Sequence, residues 1–135
     1  MNIKKEHLTK GFILAGLMNI IGVLLFSRFF SNTVIPEFDP QAMSNFGLIM
    51  IVVWGFGYIA VSQNFDQVKW LIAVFMIEKL IYATHWTKWI LDNKITDVLE
   101  KDKMAGIFYV IYGINDWMFF LFFLFVFISV ARKKI

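Results

Sequence analysis

Between Lys103 and Arg132 the chain carries a single charged residue, Asp116. A run of that length and apolarity has nowhere to hide in a chain of 135 residues, because a small domain has too little interior to cover it. It does match the ~30 Å hydrocarbon core of a bilayer, which takes about 20 helical residues at ~1.5 Å each. Four such runs follow one another, at about 11–30, 44–62, 70–90 and 105–131. The second sits in a stretch without charge from Gln41 to Phe65, and the third is the most polar, with Glu78, Lys79, His85 and Lys88. The runs show no strict alternation, which favours helices over strands. A barrel would need about eight alternating segments, and the chain has no room for them. The sequence therefore predicts an all-α membrane protein: one domain over 1–135, an antiparallel bundle of four transmembrane helices.

Composition supports this and removes several functions. Hydrophobic residues make up 59% of the chain, against roughly 45–50% in soluble domains. Soluble, fibrous and disordered readings fall away. The absence of cysteine excludes a disulfide framework, an Fe–S site and a thiol nucleophile. No Gly-rich phosphate loop, GxSxG, HExxH or metal-ligand spacing is present, so no cofactor or metal is expected. The basic residues hug the ends of the spans, which points to lipid headgroups and not to nucleic acid.

Charge also orients the chain. Lys4, Lys5, Lys10, Lys69, Arg132, Lys133 and Lys134 flank one face, and Arg28, Lys88, Lys94, Lys101 and Lys103 the other. The bias places both termini in the cytoplasm of a cell with the protein in its inner membrane. The first span, preceded by lysines, continues into Ser27-Arg28-Phe29-Phe30 without a small-residue cleavage site, so it reads as an anchor that is kept. The loop with Pro36 and Pro40 reads as turn and extended backbone, and 63–69 as a tight connection. In the third loop, Ile95, Val98 and Leu99 recur at helical spacing among charges, which predicts a short amphipathic helix at the outer surface.

Polar residues inside the spans carry the functional information, because a charge in hydrocarbon costs a few kcal/mol and faces the bundle interior. On the third span Glu78, Tyr82 and His85 share one stripe, and on the fourth Tyr109, Tyr112 and Asp116 share another, with Asn115 beside them. On the first span Gly11, Ala15, Asn19 and Gly22 form a stripe of small residues around one amide, and on the second Trp54, Gly55, Gly57 and Tyr58 cluster. Small residues let helices approach closely in lipid. A central cavity lined by Asn19, Trp54, Tyr58, Glu78, Tyr82, His85, Tyr112 and Asp116 follows. Each group also has a purely architectural role open to it. Glu78 and Lys79, neighbours on one helix, form a structural ion pair in this reading, which leaves Asp116 as the acid held in reserve. His85 fits an interfacial histidine satisfied by a local partner.

The size, the four spans and the sparse buried polar groups, with the segments Trp54–Tyr58, Glu78–Tyr82 and Asn115–Trp117, resemble the small four-helix bacterial membrane proteins of the DoxX-like and BphX-like type. The buried acids Glu78 and Asp116 also resemble the chemistry of the emopamil-binding and sigma-2 fold, which holds lipophilic amines or sterols. Neither resemblance transfers a residue role. The function expected is binding of a small lipophilic or cationic molecule in a polar-lined intramembrane pocket, with the aromatic side chains supplying π faces. Two alternatives are a structural or accessory subunit of a larger membrane complex, or a homo-oligomer, and an enzyme that uses Glu78 or Asp116 as proton donor or acceptor on a lipid-soluble substrate.

Overall fold

The protein was analysed as a computed structural model, which describes residues 4–133. Lys134, one of the cations counted above, lies outside them. The described residues form helices and no strands. Four long helices alternate in direction: α1 (Lys5–Phe26), α3 (Asn45–Val61), α4 (Lys69–Asp92) and α6 (Lys103–Ala131). Two short ones, α2 (Val34–Phe38) and α5 (Ile95–Lys101), lie at one end, and a 3-10 turn at Phe65–Gln67 closes the other.

The helices pair as two hairpins, α1 with α3 and α4 with α6, and α1 also runs along α6. The first hairpin is close because both helices offer glycine at the crossing. A Cβ on Gly55 would sit 2.8 Å from the Gly16 carbonyl oxygen, and one on Gly16 would sit 2.6 Å from that of Gly55. In the second hairpin a methyl on Gly113 would overlap the Trp86 ring, whose indole N–H donates to the Tyr109 carbonyl at 2.6 Å.

The interior divides along the bundle axis. One apolar cluster joins Phe12, Tyr58, Phe65, Phe75, Phe119 and Phe123 near the 3-10 turn. Another joins Val23, Ile35, Leu48, Trp89, Phe108 and Tyr109 near α2 and α5. Between them lies a layer of buried polar side chains: Asn19, Glu78, Lys79, Asn115 and Asp116.

The first helix departs from the sequence reading at both ends: it begins at Lys5, six residues before the expected 11, and stops at Phe26, four short of the expected 30. Arg28, Phe29 and Phe30 take φ of 49°, 55° and 65°, a left-handed turn that costs roughly 1–2 kcal/mol per side-chain-bearing residue. Local bonds hold it: Ser27 Oγ accepts from the Phe30 N–H at 3.0 Å, and Asn32 donates to the Phe26 carbonyl at 3.1 Å. The loop expected to be extended around Pro36 contains α2. Proline is tolerated there because it occupies the first turn, where its missing N–H had no helical partner.

Asp102 ties these pieces together. Its Oδ1 accepts from the Ala105 N–H at 2.8 Å and caps α6. The same oxygen accepts from Asn32 at 3.0 Å, and Arg28 reaches Oδ2 at 2.8 Å. Burial pushes this carboxyl up, but the Ala105 N–H, the Asn32 amide and the Arg28 guanidinium outweigh it and hold it below the usual aspartate value.

Candidate functional site

Lys79 is the centre of the polar layer. Its side chain is 1% exposed, and its ammonium lies 2.7 Å from Asp116 Oδ1, a carboxylate 8% exposed. A second N–H donates to Asn19 Oδ1 at 3.0 Å. The Asn19 amide is fixed in that sense because its Nδ2 donates to the Ile51 carbonyl of α3 at 3.0 Å. The Tyr58 ring supplies a π face 5.3 Å from the ammonium. One cation thus bridges α1, α3, α4 and α6.

This corrects the expected ion pair between Lys79 and Glu78. Consecutive helical residues point about 100° apart, so the two side chains leave α4 toward different neighbours. Lys79 meets α6, and Glu78 Oε2 accepts a hydrogen bond from the Tyr58 hydroxyl of α3. Asp116, expected to be the free acid, is the paired one. Of the two acids in the buried layer, Glu78 is the one with no cation within ion-pair distance among the described residues.

The residues expected around one central cavity divide, among the described residues, between a groove at the α1/α6 seam and a groove at the α3/α4 seam. The larger, about 390 Å³, lies between α1 and α6. Its walls are aliphatic and aromatic, from Leu14, Leu17, Ile21 and Ile111 among others, and its polar atoms come from Asn19, Tyr112, Asn115 and Asp116. The smaller, about 300 Å³, lies between α3 and α4 and brings together Trp54, Glu78 and Tyr82 with Val74, Ile77 and Ile81. Of the residues expected at one site, Tyr58 is fully buried between the two grooves, bonded to Glu78 and facing Lys79. His85 lines neither of these grooves. It lies 2.7 Å from Asp39 instead.

Two buried atoms of residues at the larger groove have no hydrogen-bond partner among the described residues: the Tyr112 hydroxyl and Asn115 Oδ1. Both residues are more than nine-tenths buried and both line the groove. The sequence reading set Asn115 beside the Tyr109–Asp116 stripe and left it out of the expected cavity lining. The signal that could have found it is its spacing: Tyr112 and Asn115 stand three residues apart and so share a face of α6.

The family models, the characterised proteins and the solved structures compared with this chain include no match. The chemistry of its own residues is therefore the whole basis for a functional reading.

Proposed function

We propose that this chain is a four-span integral membrane protein that holds a small lipophilic molecule in the groove between α1 and α6. In this reading the molecule is neutral and carries a hydroxyl. The observation that carries the binding reading is the pair of partnerless atoms, Tyr112 Oη and Asn115 Oδ1. A buried polar atom left unsatisfied costs about 1–3 kcal/mol, and a ligand hydroxyl can remove both penalties by accepting from Tyr112 and donating to Asn115. Lys79 already neutralises Asp116, so the groove floor has no spare charge to attract an ion. The apolar walls suit a hydrocarbon body.

Two features support the membrane setting. Helices α1 and α6 are long and apolar enough to cross a bilayer, each with an 18-residue stretch whose mean hydropathy is 1.9 and 2.0 respectively. On α3 and α4, Val53, Phe56, Ile77 and Ile81 point outward and are more than half exposed. A water-soluble bundle would carry charges at such positions. With the basic bias of the tails and the 63–69 loop, the proposed orientation has both termini in the cytoplasm and α2 and α5 outside.

The test is photolabelling in bilayer nanodiscs with a diazirine analogue of decanol. Saturable labelling of Leu17, Ile21 or Ile111 is expected, with a loss of about tenfold in the Tyr112→Phe, Asn115→Leu double variant, as ~1.4 kcal/mol of lost hydrogen bonding implies. Uniform labelling of all outward-facing residues, indifferent to the variant, would overturn the proposal. So would a groove occupied by a co-purifying protein partner.

A further inference from the structure

The α3/α4 groove presents the opposite chemistry. Its one carboxyl, Glu78, is 6% exposed, and its one hydrogen bond among the described residues is the Tyr58 hydroxyl on Oε2. Val74, Ile77, Ile81, Trp54 and Tyr82 line the groove with Glu78. The polar layer contains two acids, Glu78 and Asp116, and one cation, Lys79. Lys79 is committed to Asp116. A carboxylate so placed either keeps its proton or meets a cation, because an isolated ion in an apolar surrounding is prohibitively costly.

We infer that the α3/α4 groove is a second site, which binds a lipophilic amine as its ammonium ion on Glu78 in exchange for the carboxyl proton. The carboxylic O–H breaks, the proton leaves to solvent, and the ammonium N–H donors bond the carboxylate left behind. Charge is conserved: one cation enters and one leaves. The hydrocarbon tail lies along Val74, Ile77 and Ile81, and the Trp54 and Tyr82 rings offer faces to the charged head. Tyr58 remains bonded to Oε2, which leaves Oε1 for the ligand.

The titratable and charged groups around Glu78 are Tyr58 from α3, Lys79 and Tyr82 from its own helix, and Asp116 from α6. Only Lys79 is cationic, and its ammonium is bonded to Asp116 at 2.7 Å and to Asn19 at 3.0 Å, not to Glu78. The exchange gives a sign: binding strengthens as pH rises, by up to tenfold per pH unit, since one proton is released for each ammonium bound.

This site is independent of the α1/α6 groove, and a matched probe separates them. A diazirine analogue of decylamine is applied to the full chain in nanodiscs, with the decanol analogue as its neutral control. The amine is expected to label Ile77 or Ile81 saturably, more strongly at mildly alkaline than at mildly acidic pH. Glu78→Gln should reduce that labelling at least tenfold and abolish its pH dependence. The Tyr112→Phe, Asn115→Leu variant should leave it unchanged. Should Glu78→Gln fail to fold, Val74→Trp fills the groove from an outward-facing position and must abolish labelling by itself. Amine labelling that persists in Val74→Trp, or that decanol matches at equal concentration, overturns the assignment. Cross-linking of Val74 to an Arg or Lys on a second polypeptide overturns it too, since the cation would then be a partner's side chain.

Discussion

Lys79 has three N–H donors and the protein meets each differently: a carboxylate, an amide oxygen and an aromatic face. Such saturation is what allows an ammonium to be 1% exposed. It also makes the ion pair asymmetric toward mutation. Removing one partner strands the other in a medium that cannot solvate it, at roughly 3–5 kcal/mol. Removing both replaces two buried charges by neutral groups and costs much less. Lys79→Met and Asp116→Asn should each lower thermal stability by about that much, and the double variant should recover most of the loss. Lys79→Met combined with Glu78→Gln should show no such recovery, because Glu78 answers to Tyr58. A thermal double-mutant cycle in detergent measures both couplings. Recovery with Glu78 and none with Asp116 would refute the pairing. The sequence showed that an acid and a base occupied the same depth. It could not show which acid took the base, because that depends on how α4 is rotated about its axis.

At the scale of helices, the small residues separate into contacts that matter and ones that do not. Gly16 and Gly55 bring two backbones together, so a Cβ at either meets a carbonyl oxygen that cannot move aside. Gly57 would meet only a Phe75 ring carbon at 3.9 Å, which is ordinary contact. Gly55→Ala is therefore expected to lose about 1–3 kcal/mol through overpacking. Gly57→Ala should be neutral or gain up to ~1 kcal/mol from helix propensity. Melting of the two variants side by side checks the ranking, and equal stability would mean that α1 and α3 do not cross at Gly55. The stripe Gly11, Ala15, Asn19, Gly22 was visible in the sequence, yet its neighbour Gly16 makes the crossing, and Gly22 faces open space in the α1/α6 groove. Periodicity marks the small residues without saying which face of the helix is turned to a partner. The central helices and α5 were legible because apolar period and charge both change at their ends. The left-handed turn at Arg28–Phe30 was not, because no residue there favours positive φ. What holds it is Ser27 and Asn32, together with Asp102 more than sixty positions away.

Over the whole molecule, the polar layer sits between two aromatic-rich halves, and each seam between the hairpins opens a groove onto that layer. The two grooves differ in charge, because Lys79 is bonded to Asp116 while Glu78 is bonded to the Tyr58 hydroxyl. The two acids can therefore do different work although they lie on neighbouring helices. Both readings place the layer within a bilayer, so the orientation of the chain is the remaining large-scale claim to test. The ends of the bundle differ in chemistry. Lys5 pairs with Asp66 at one end, while Arg28 with Asp102 and His85 with Asp39 tie α2 and α5 to the other. Since the chain has no cysteine, one can be introduced at a time. Gln63→Cys marks the end that holds the termini and Asp92→Cys the end that holds α5, both at exposed positions. An impermeant thiol reagent on intact cells should label position 92 and spare 63 until the membrane is opened, because the larger share of Lys and Arg flanks the side of 63. The reverse pattern would invert the topology and leave both grooves intact. Labelling of both positions before permeabilisation would show that the four helices do not span the membrane, and would remove the setting on which the grooves' chemistry depends.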